Sequence, residues 1–336
     1  ALVLYLSNLP KIPSNNGSLI ALLLFFFGVL LWAFVVNQSN IRVIKADIDF
    51  KLAEPFAKEG TWPVSIEIYK HGIELAPRED YYYLFLGRAY LEQGKTIEDP
   101  QQRDAFFSQA ENDLITAQNL NPLNTDHTAN LARLYSMWSI YTPDSELKQK
   151  RFEQSNIYFQ KALSLSPHSS RLWDEWAVLL MSNEDTRQDA LKKLFQAYEL
   201  DPTYDWTAYL FGEYYAAQAK RSTGQEKTDA IINAISNYQK AVNLTEDISL
   251  KVNYLLNLTQ FAVDQNQIKI AIEALNQVIS YVPNSSETWK YENLLAQLYF
   301  GNGDKTQALE HAQRALNICP PDQKQQIEEL IQKIGQ

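Results

Sequence analysis

The side chains able to do chemistry are scattered in this 336-residue sequence. His71, His127, His168 and His311 stand far apart, with no pair at a spacing that brings two imidazoles to one metal. They read as ordinary surface or turn histidines. Cys319 is the single cysteine, so neither an intrachain disulfide nor a zinc motif is available. Asp174 and Glu175 flank Trp173 and Trp176, and this reads as a solvated helix face rather than an acid–base pair. Gly301-Asn302-Gly303 looks like a scrap of a phosphate loop, but no strand pattern precedes it and no Lys-Ser/Thr ending follows. Asn183-Glu184-Asp185 lacks the glycine and closing glutamate of a calcium loop. Asn-x-Ser/Thr triplets at Asn16, Asn37, Asn243, Asn257 and Asn284 are what an Asn-rich chain yields by chance. The sequence therefore assigns no catalytic residue, no cofactor-binding residue and no metal ligand, and no cofactor is expected.

Binding chemistry is easier to find. Tyr81, Tyr82 and Tyr83 form a run in which Tyr83 falls on the apolar stripe described below, whereas Tyr81 and Tyr82 do not. With Trp206 and Tyr209 they are the candidate partner-binding aromatics, because Tyr and Trp are enriched among interface anchors. The alternative is that they pack the loops between helices.

These aromatics sit in a repeating frame. A closing residue recurs every ~35–45 positions, at Pro77, Pro122, Pro167, Pro202, Glu246, Pro283 and Pro320. Five residues before each stands Gly72, Ala117, Ala162, Ala197, Ala241, Val278 or Ala315, mostly small residues that let two helices approach. After each closing residue come a large residue, a Leu or aromatic, a small residue and an aromatic at helical spacing. Examples are Tyr83, Leu86, Gly87 and Tyr90, then Leu131, Ala132 and Tyr135, then Phe211, Gly212 and Tyr215. Proline ends one helix and its neighbours make the turn. This grammar resembles the tetratricopeptide repeat. The unit from Ala46 to Glu79 fits its length, with Leu52, Ala53, Phe56, Gly60, Ser65, Tyr69, Gly72 and Pro77 in matching places. The longer units carry their excess at Glu92–Asp104, Ser139–Lys148 and Ala217–Thr228, between paired helices. One hairpin cannot bury its stripe alone, so neighbours must stack. The expected fold is all-α: one transmembrane helix, then an α-solenoid of about seven hairpins and a capping helix.

The apolar run Leu19–Val36 contains no charge. At ~1.5 Å per residue it spans roughly 27 Å, the thickness of a bilayer's hydrocarbon core. The domain reading is therefore 1–17, a membrane-proximal segment; 18–37, a transmembrane helix; 38–45, a linker; 46–321, the repeat array; and 322–336, a capping helix with Ile327, Leu330, Ile331 and Ile334 on one face. Ala1–Leu9 is apolar but lacks the basic start of a signal peptide, and reads as the end of a preceding membrane helix. Lys11 precedes the span, while Arg42, Lys45 and Lys51 follow it, which puts the repeats on the cytoplasmic side.

The net charge is −10, and the three cations Lys11, Arg42 and Lys45 precede any acid, so the repeat array is more acidic than the whole. Such a body repels phosphates, and nucleic acid is excluded as a partner. Three passages carry a narrower resemblance: Asn40-Ile41-Arg42 through Ala46-Asp47-Ile48, Glu79 to Tyr90, and Asn121 to Arg133. They resemble the tail of bacterial O-antigen ligase/polymerase-like membrane proteins, in which tetratricopeptide repeats follow a many-helix membrane domain. The resemblance implies a bacterial inner-membrane location and contact with glycan or lipid-linked glycan. It places no family active-site residue on this chain. Three functions are consistent with the sequence: a membrane-tethered scaffold for protein partners, a part of an active glycan ligase or polymerase, and a structural subunit that assembles with itself.

Overall fold

The computed structural model describes residues 16–336; the expectations for the apolar run Ala1–Leu9 and for Lys11 lie outside the described residues. Every described element is helical, without a strand among the described residues. Helix α1 (Asn16–Val36) passes through a π-helical turn (Asn37–Ile41) into α2 (Arg42–Lys58) without a break. Within this continuous run, Leu19–Lys58 is a single helical stretch of 40 residues. Residues 38–45, read as a linker, are thus themselves helical. The Ser39 hydroxyl bonds back to the Val35 carbonyl at 2.7 Å, a partner for a backbone group that the widened turn loosens. From Leu19 to Val35 the large apolar side chains are exposed all round the helix, and it is long and apolar enough to cross a membrane.

Antiparallel hairpins follow: α3 (Trp62–Leu75), α4 (Asp80–Thr96), α5 (Pro100–Leu120), α6 (Thr125–Tyr141) and α7 (Ser145–Leu165). Then come α8 (Ser170–Met181), α9 (Arg187–Leu200), α10 (Asp205–Ala219), α11 (Gly224–Leu244), α12 (Ile248–Asp264) and α13 (Ile268–Tyr281), and finally α14 (Thr288–Gly301), α15 (Lys305–Ile318) and α16 (Lys324–Gly335). The chain divides into two compact units, to Tyr158 and from Phe159. Each is a stack of hairpins with its own core.

The repeated small residue has a definite job. The carbonyls of Gly72, Ala117, Ala162, Ala197, Ala241, Val278 and Ala315 each accept the amide that ends their helix, as in Ala76 N to Gly72 O at 3.0 Å and Asn121 N to Ala117 O at 3.0 Å. All seven positions are buried. At the matching place in the opposite helix, Gly87 and Gly212 let a neighbour press close. A Cβ on Gly87 would lie 2.7 Å from Leu114 Cγ, and one on Gly212 would lie 2.7 Å from Tyr238 Cδ1. Close approach of this kind is how interiors reach crystal-like density.

Two expectations are corrected. The extra length in the longer units does not loop out between paired helices; α5, α7 and α11 each run 21 residues with short turns around them. Asp99 caps α5 by accepting the Gln102 amide at 2.8 Å, so a polar stretch that looked like loop begins a helix instead. Tyr82, set aside from the core, is 3% exposed, while Tyr83 is only half-buried. The reason is geometric: α4 packs on its own partner α5 and also on the preceding hairpin, so its buried arc is wider than one stripe. At the far end, Ile327 and Ile334 of α16 are buried, against Ala315 and Cys319 and against Ala296, Ala308 and Ala312 respectively.

Candidate interaction groove

In the first unit, the faces of α2 and α4 meet over α3 and enclose a groove of about 240 Å³. Its lining includes Glu54, Lys58, Trp62, Tyr69, Phe85 and Arg88. Two of its lining residues, Phe85 and Tyr69, belong to an aromatic cluster that continues beside the groove. Phe50 and Phe85 meet edge-to-face at 4.8 Å, Tyr81 lies 4.9 Å from Phe50 and 4.4 Å from Phe85, and Tyr69 lies 5.8 Å from Phe50. Ring quadrupoles favour such tilted contacts over face-to-face ones. Tyr81 caps this cluster and remains 45% exposed, so a large aromatic surface is offered to water on a rigid support.

The rim is charged and partly self-neutralised. Lys58 binds Glu54 at 2.8 Å, with Lys51 at 3.7 Å, and the Lys58 bond and charge hold the Glu54 carboxyl below its usual range. Arg88 is exposed and stands 5.3 Å over the Phe85 ring. Burial pushes the Tyr69 phenol up to about 12, against the nearby Arg88 charge, so it stays neutral in the groove. The groove can seat an apolar or aromatic side chain and present a guanidinium to an acid beside it.

The four sequence candidates fare differently. Tyr81 lines the exposed face. Tyr82 is turned inward and donates to Asp47 Oδ1 at 2.6 Å, a bond that ties α4 to α2. Trp206 is half-buried and sits edge-on to Tyr204 at 6.3 Å. Tyr209 stacks on Tyr254 at 4.9 Å and packs on Tyr238, so it joins hairpins within the second unit; burial, then the Glu213 charge, raise its phenol. Tyr81 and Tyr82 belong to the first unit and Trp206 and Tyr209 to the second. Phe85, Trp62 and Arg88 were missed. Phe85 lies one helical turn beyond Tyr81, and that spacing was the available signal.

The histidines and acids also depart from the sequence reading. His127 is fully buried and its Nε2 lies 2.5 Å from Asp80 Oδ2, linking α6 to α4. Burial works against the Asp80 charge, but hydrogen bonds from His127 and Asn121 hold its carboxyl below the usual range. His311 is buried with Glu292 at 2.6 Å. Surface positions were expected for both; they instead tie neighbouring helices. Asp174, expected on a solvated face, is fully buried, accepts from Thr207 at 2.6 Å and leaves Oδ1 without a partner among the described residues. Burial pushes it up to about 7. Beside it Trp173 and Trp176 stack at 5.8 Å under Lys193, which lies 3.9 Å from the Trp176 ring and whose amine burial pushes down. Gly303 takes φ +86° in the turn between α14 and α15, a backbone shape that accounts for the Gly-Asn-Gly run. Among the described residues no group of three His, Cys, Asp or Glu is placed to hold a metal.

Residues 261–323 match the tetratricopeptide repeat family. No curated protein matches the sequence. Among solved structures the chain is similar to yeast Tom70, at 15% identity and TM-score 0.53, covering 86% of this chain and 55% of that one. It is similar to human IFIT1, solved as a dimer with m7Gppp-AAAA, at 14% identity and TM-score 0.51, covering 86% and 63%. It is also similar to PilW, a type IV pilus biogenesis factor, at 14% identity and TM-score 0.50, covering 73% and 97%. These identities speak to fold and not to activity. The described chain has the tetratricopeptide-type arrangement of stacked helical hairpins, and residues 261–323 carry the family's own sequence pattern.

Proposed function

We propose that this protein is a membrane-anchored scaffold that grips a protein partner through the groove between α2 and α4. The observation that carries the reading is the 40-residue helix itself: its first half is apolar and exposed all round, and its second half, α2, is one wall of the groove. An all-round apolar surface is stable in lipid and costly in water. Because the helix runs on through the π-helical turn without a break, the groove is held near a fixed height above the bilayer. Arg42, Lys45 and Lys51 follow the apolar run, and the positive-inside rule puts the groove on the cytoplasmic side. Repeat arrays of this fold bind partners on rigid extended surfaces, and exposed Tyr81 with Arg88 beside it has the residue types of a binding hot spot.

A second, finer reading makes the array the tail of a glycan-assembly protein of the O-antigen ligase/polymerase-like kind. Its support is the sequence resemblance in Glu79–Tyr90, the stretch that supplies Tyr81 and Phe85; aromatic faces also stack on sugar rings.

The test replaces Tyr81 with a photo-crosslinking phenylalanine in the full chain and compares Arg88→Glu with the unaltered groove. A crosslinked protein band that disappears with Arg88→Glu, at unchanged helix content, supports the scaffold reading. An identical band pattern with and without Arg88 overturns the groove as the partner site. A crosslink to lipid-linked glycan in place of protein favours the second reading.

A further inference from the structure

We infer that the end of the first unit nearest α1 carries a binding site for the phosphate of an anionic lipid headgroup, formed by Arg42 and Arg78. This rests on the reading of α1 as a membrane span.

The placement follows from the order of the helices. α2 leads away from the apolar helix and α3 returns antiparallel to it, so the turn after α3 comes back to the level where α2 began. The contact is direct: Arg42 Nη2 donates to the Glu74 carbonyl at 2.6 Å and Nη1 to Gln38 Oε1 at 2.9 Å. Between helix and turn lies a cavity of about 500 Å³, lined by Gln38, Ser39, Arg42, Pro77, Arg78 and Glu79 among others. Arg42 stands six residues past Val36, about 9 Å at helical rise, just past a headgroup layer that extends roughly 5–8 Å beyond the hydrocarbon and within reach of it for a long side chain bonded back to Gln38.

The two arginines differ in role. Arg42 is held by the Gln38 and Glu74 bonds, which fix its guanidinium and leave donors to spare. Arg78 is exposed on the turn and supplies the second cation. Guanidinium groups suit phosphate because their donors form a planar fork. Gln38 and Ser39 add polar groups, and Glu79 is an acceptor for a hydroxyl on the headgroup, so the site fits a hydroxyl-bearing anionic lipid better than a bare anion. The next turn at the same end supports a lipid-facing edge. Leu123 at the tip of the α5–α6 turn is 79% exposed, and Asp80 holds that turn alongside through Asn121 and His127.

The experiment reconstitutes the full chain in bilayer discs of phosphatidylcholine alone, or with roughly one-quarter phosphatidylglycerol, and follows amide hydrogen exchange over residues 38–43 and 75–80. Flotation with vesicles is scored separately, as the check on membrane insertion. The expected result is exchange slowed several-fold at 75–80 only when phosphatidylglycerol is present. Arg78→Gln should weaken lipid binding roughly fivefold and leave only part of the slowing, and Arg42→Gln together with Arg78→Gln should abolish it. Equal exchange in both lipids, or a difference that survives both substitutions, overturns the site while leaving insertion intact. If inorganic phosphate reproduces the slowing in phosphatidylcholine discs, the site takes free phosphate and the lipid assignment fails. A chain that does not float overturns the membrane reading itself.

Discussion

Replacing Gly87 by alanine probes the helix register where α4 and α5 of the first unit press together. The added methyl would lie 2.7 Å from Leu114 Cγ, 3.0 Å from Leu114 Cδ2 and 3.1 Å from the Ala110 carbonyl oxygen. Leu114 is fully buried and cannot swing away, and Ala110 O is backbone within α5. Overpacking a tight core costs about 1–3 kcal/mol, and the double contact places this case near the top of that range. Removing a glycine from a helix interior returns about 1 kcal/mol. The net expectation is a loss of about 2 kcal/mol, or roughly 4–8 °C in melting midpoint for a unit of this size. Circular dichroism melting of the full chain in detergent is the assay. Gly301→Ala is the control, because nothing lies within 4 Å of that position, and it should show no loss. Adding Leu114→Val to Gly87→Ala should give a double mutant less unstable than the sum by more than about 0.5 kcal/mol. If Gly87→Ala melts at or above the parent temperature, the close approach is absent and the packing argument fails.

Asp174 should make stability depend on pH. Its carboxyl is raised from 3.8 to about 7 by burial, so the folded state holds the proton more tightly than the unfolded one. The stabilisation is complete below the unfolded value and is lost as pH rises through about 7. Asp174→Asn should flatten this slope between pH 5 and pH 8 in denaturant titrations and gain on the order of 2 kcal/mol at the alkaline end; an unchanged slope would assign it elsewhere. Tyr82→Phe removes the 2.6 Å bond to Asp47 and should cost about 1 kcal/mol in the same assay. With the crosslinking residue moved to Lys58 in the groove lining, Tyr81→Ala should weaken partner capture with a far smaller change in melting, since Tyr81 is 45% exposed; the reverse pattern would exchange their roles.

Much of the fold was legible because the repeat imposes it on single residues. Gly87, Gly212 and the small residue five before each closing position must be small where helices touch, and spacing alone reveals them. Length was less legible. The polar stretches after Glu92 and Ser139 look like loops by composition, but their helices are stabilised by stacking and by caps such as Asp99, which composition does not display. The candidate groove was half legible. Tyr81 stands exposed beside it, as its place off the stripe suggests, whereas Tyr82 is buried because the second buried side of α4 depends on a neighbour the pattern does not name. Phe85, Trp62 and Arg88 come together from two hairpins, a tertiary fact with no local signature. The burial of His127, Asp174 and His311 is likewise set by partners far off in sequence: Asp80, Thr207 and Glu292.

If one helix passes from lipid into the groove wall, spin labels at Leu24 and Ile48 in the vesicle-reconstituted full chain must meet different surroundings. Both side chains are exposed on the same 40-residue helix. At about 1.5 Å per residue they stand roughly 36 Å apart along its axis, more than the hydrocarbon thickness of about 30 Å. The Leu24 label should relax with dissolved oxygen and be shielded from a water-soluble nickel complex, and the Ile48 label should behave in the opposite way. Equal access of the nickel complex to both labels would contradict a helix that passes from lipid into the groove wall.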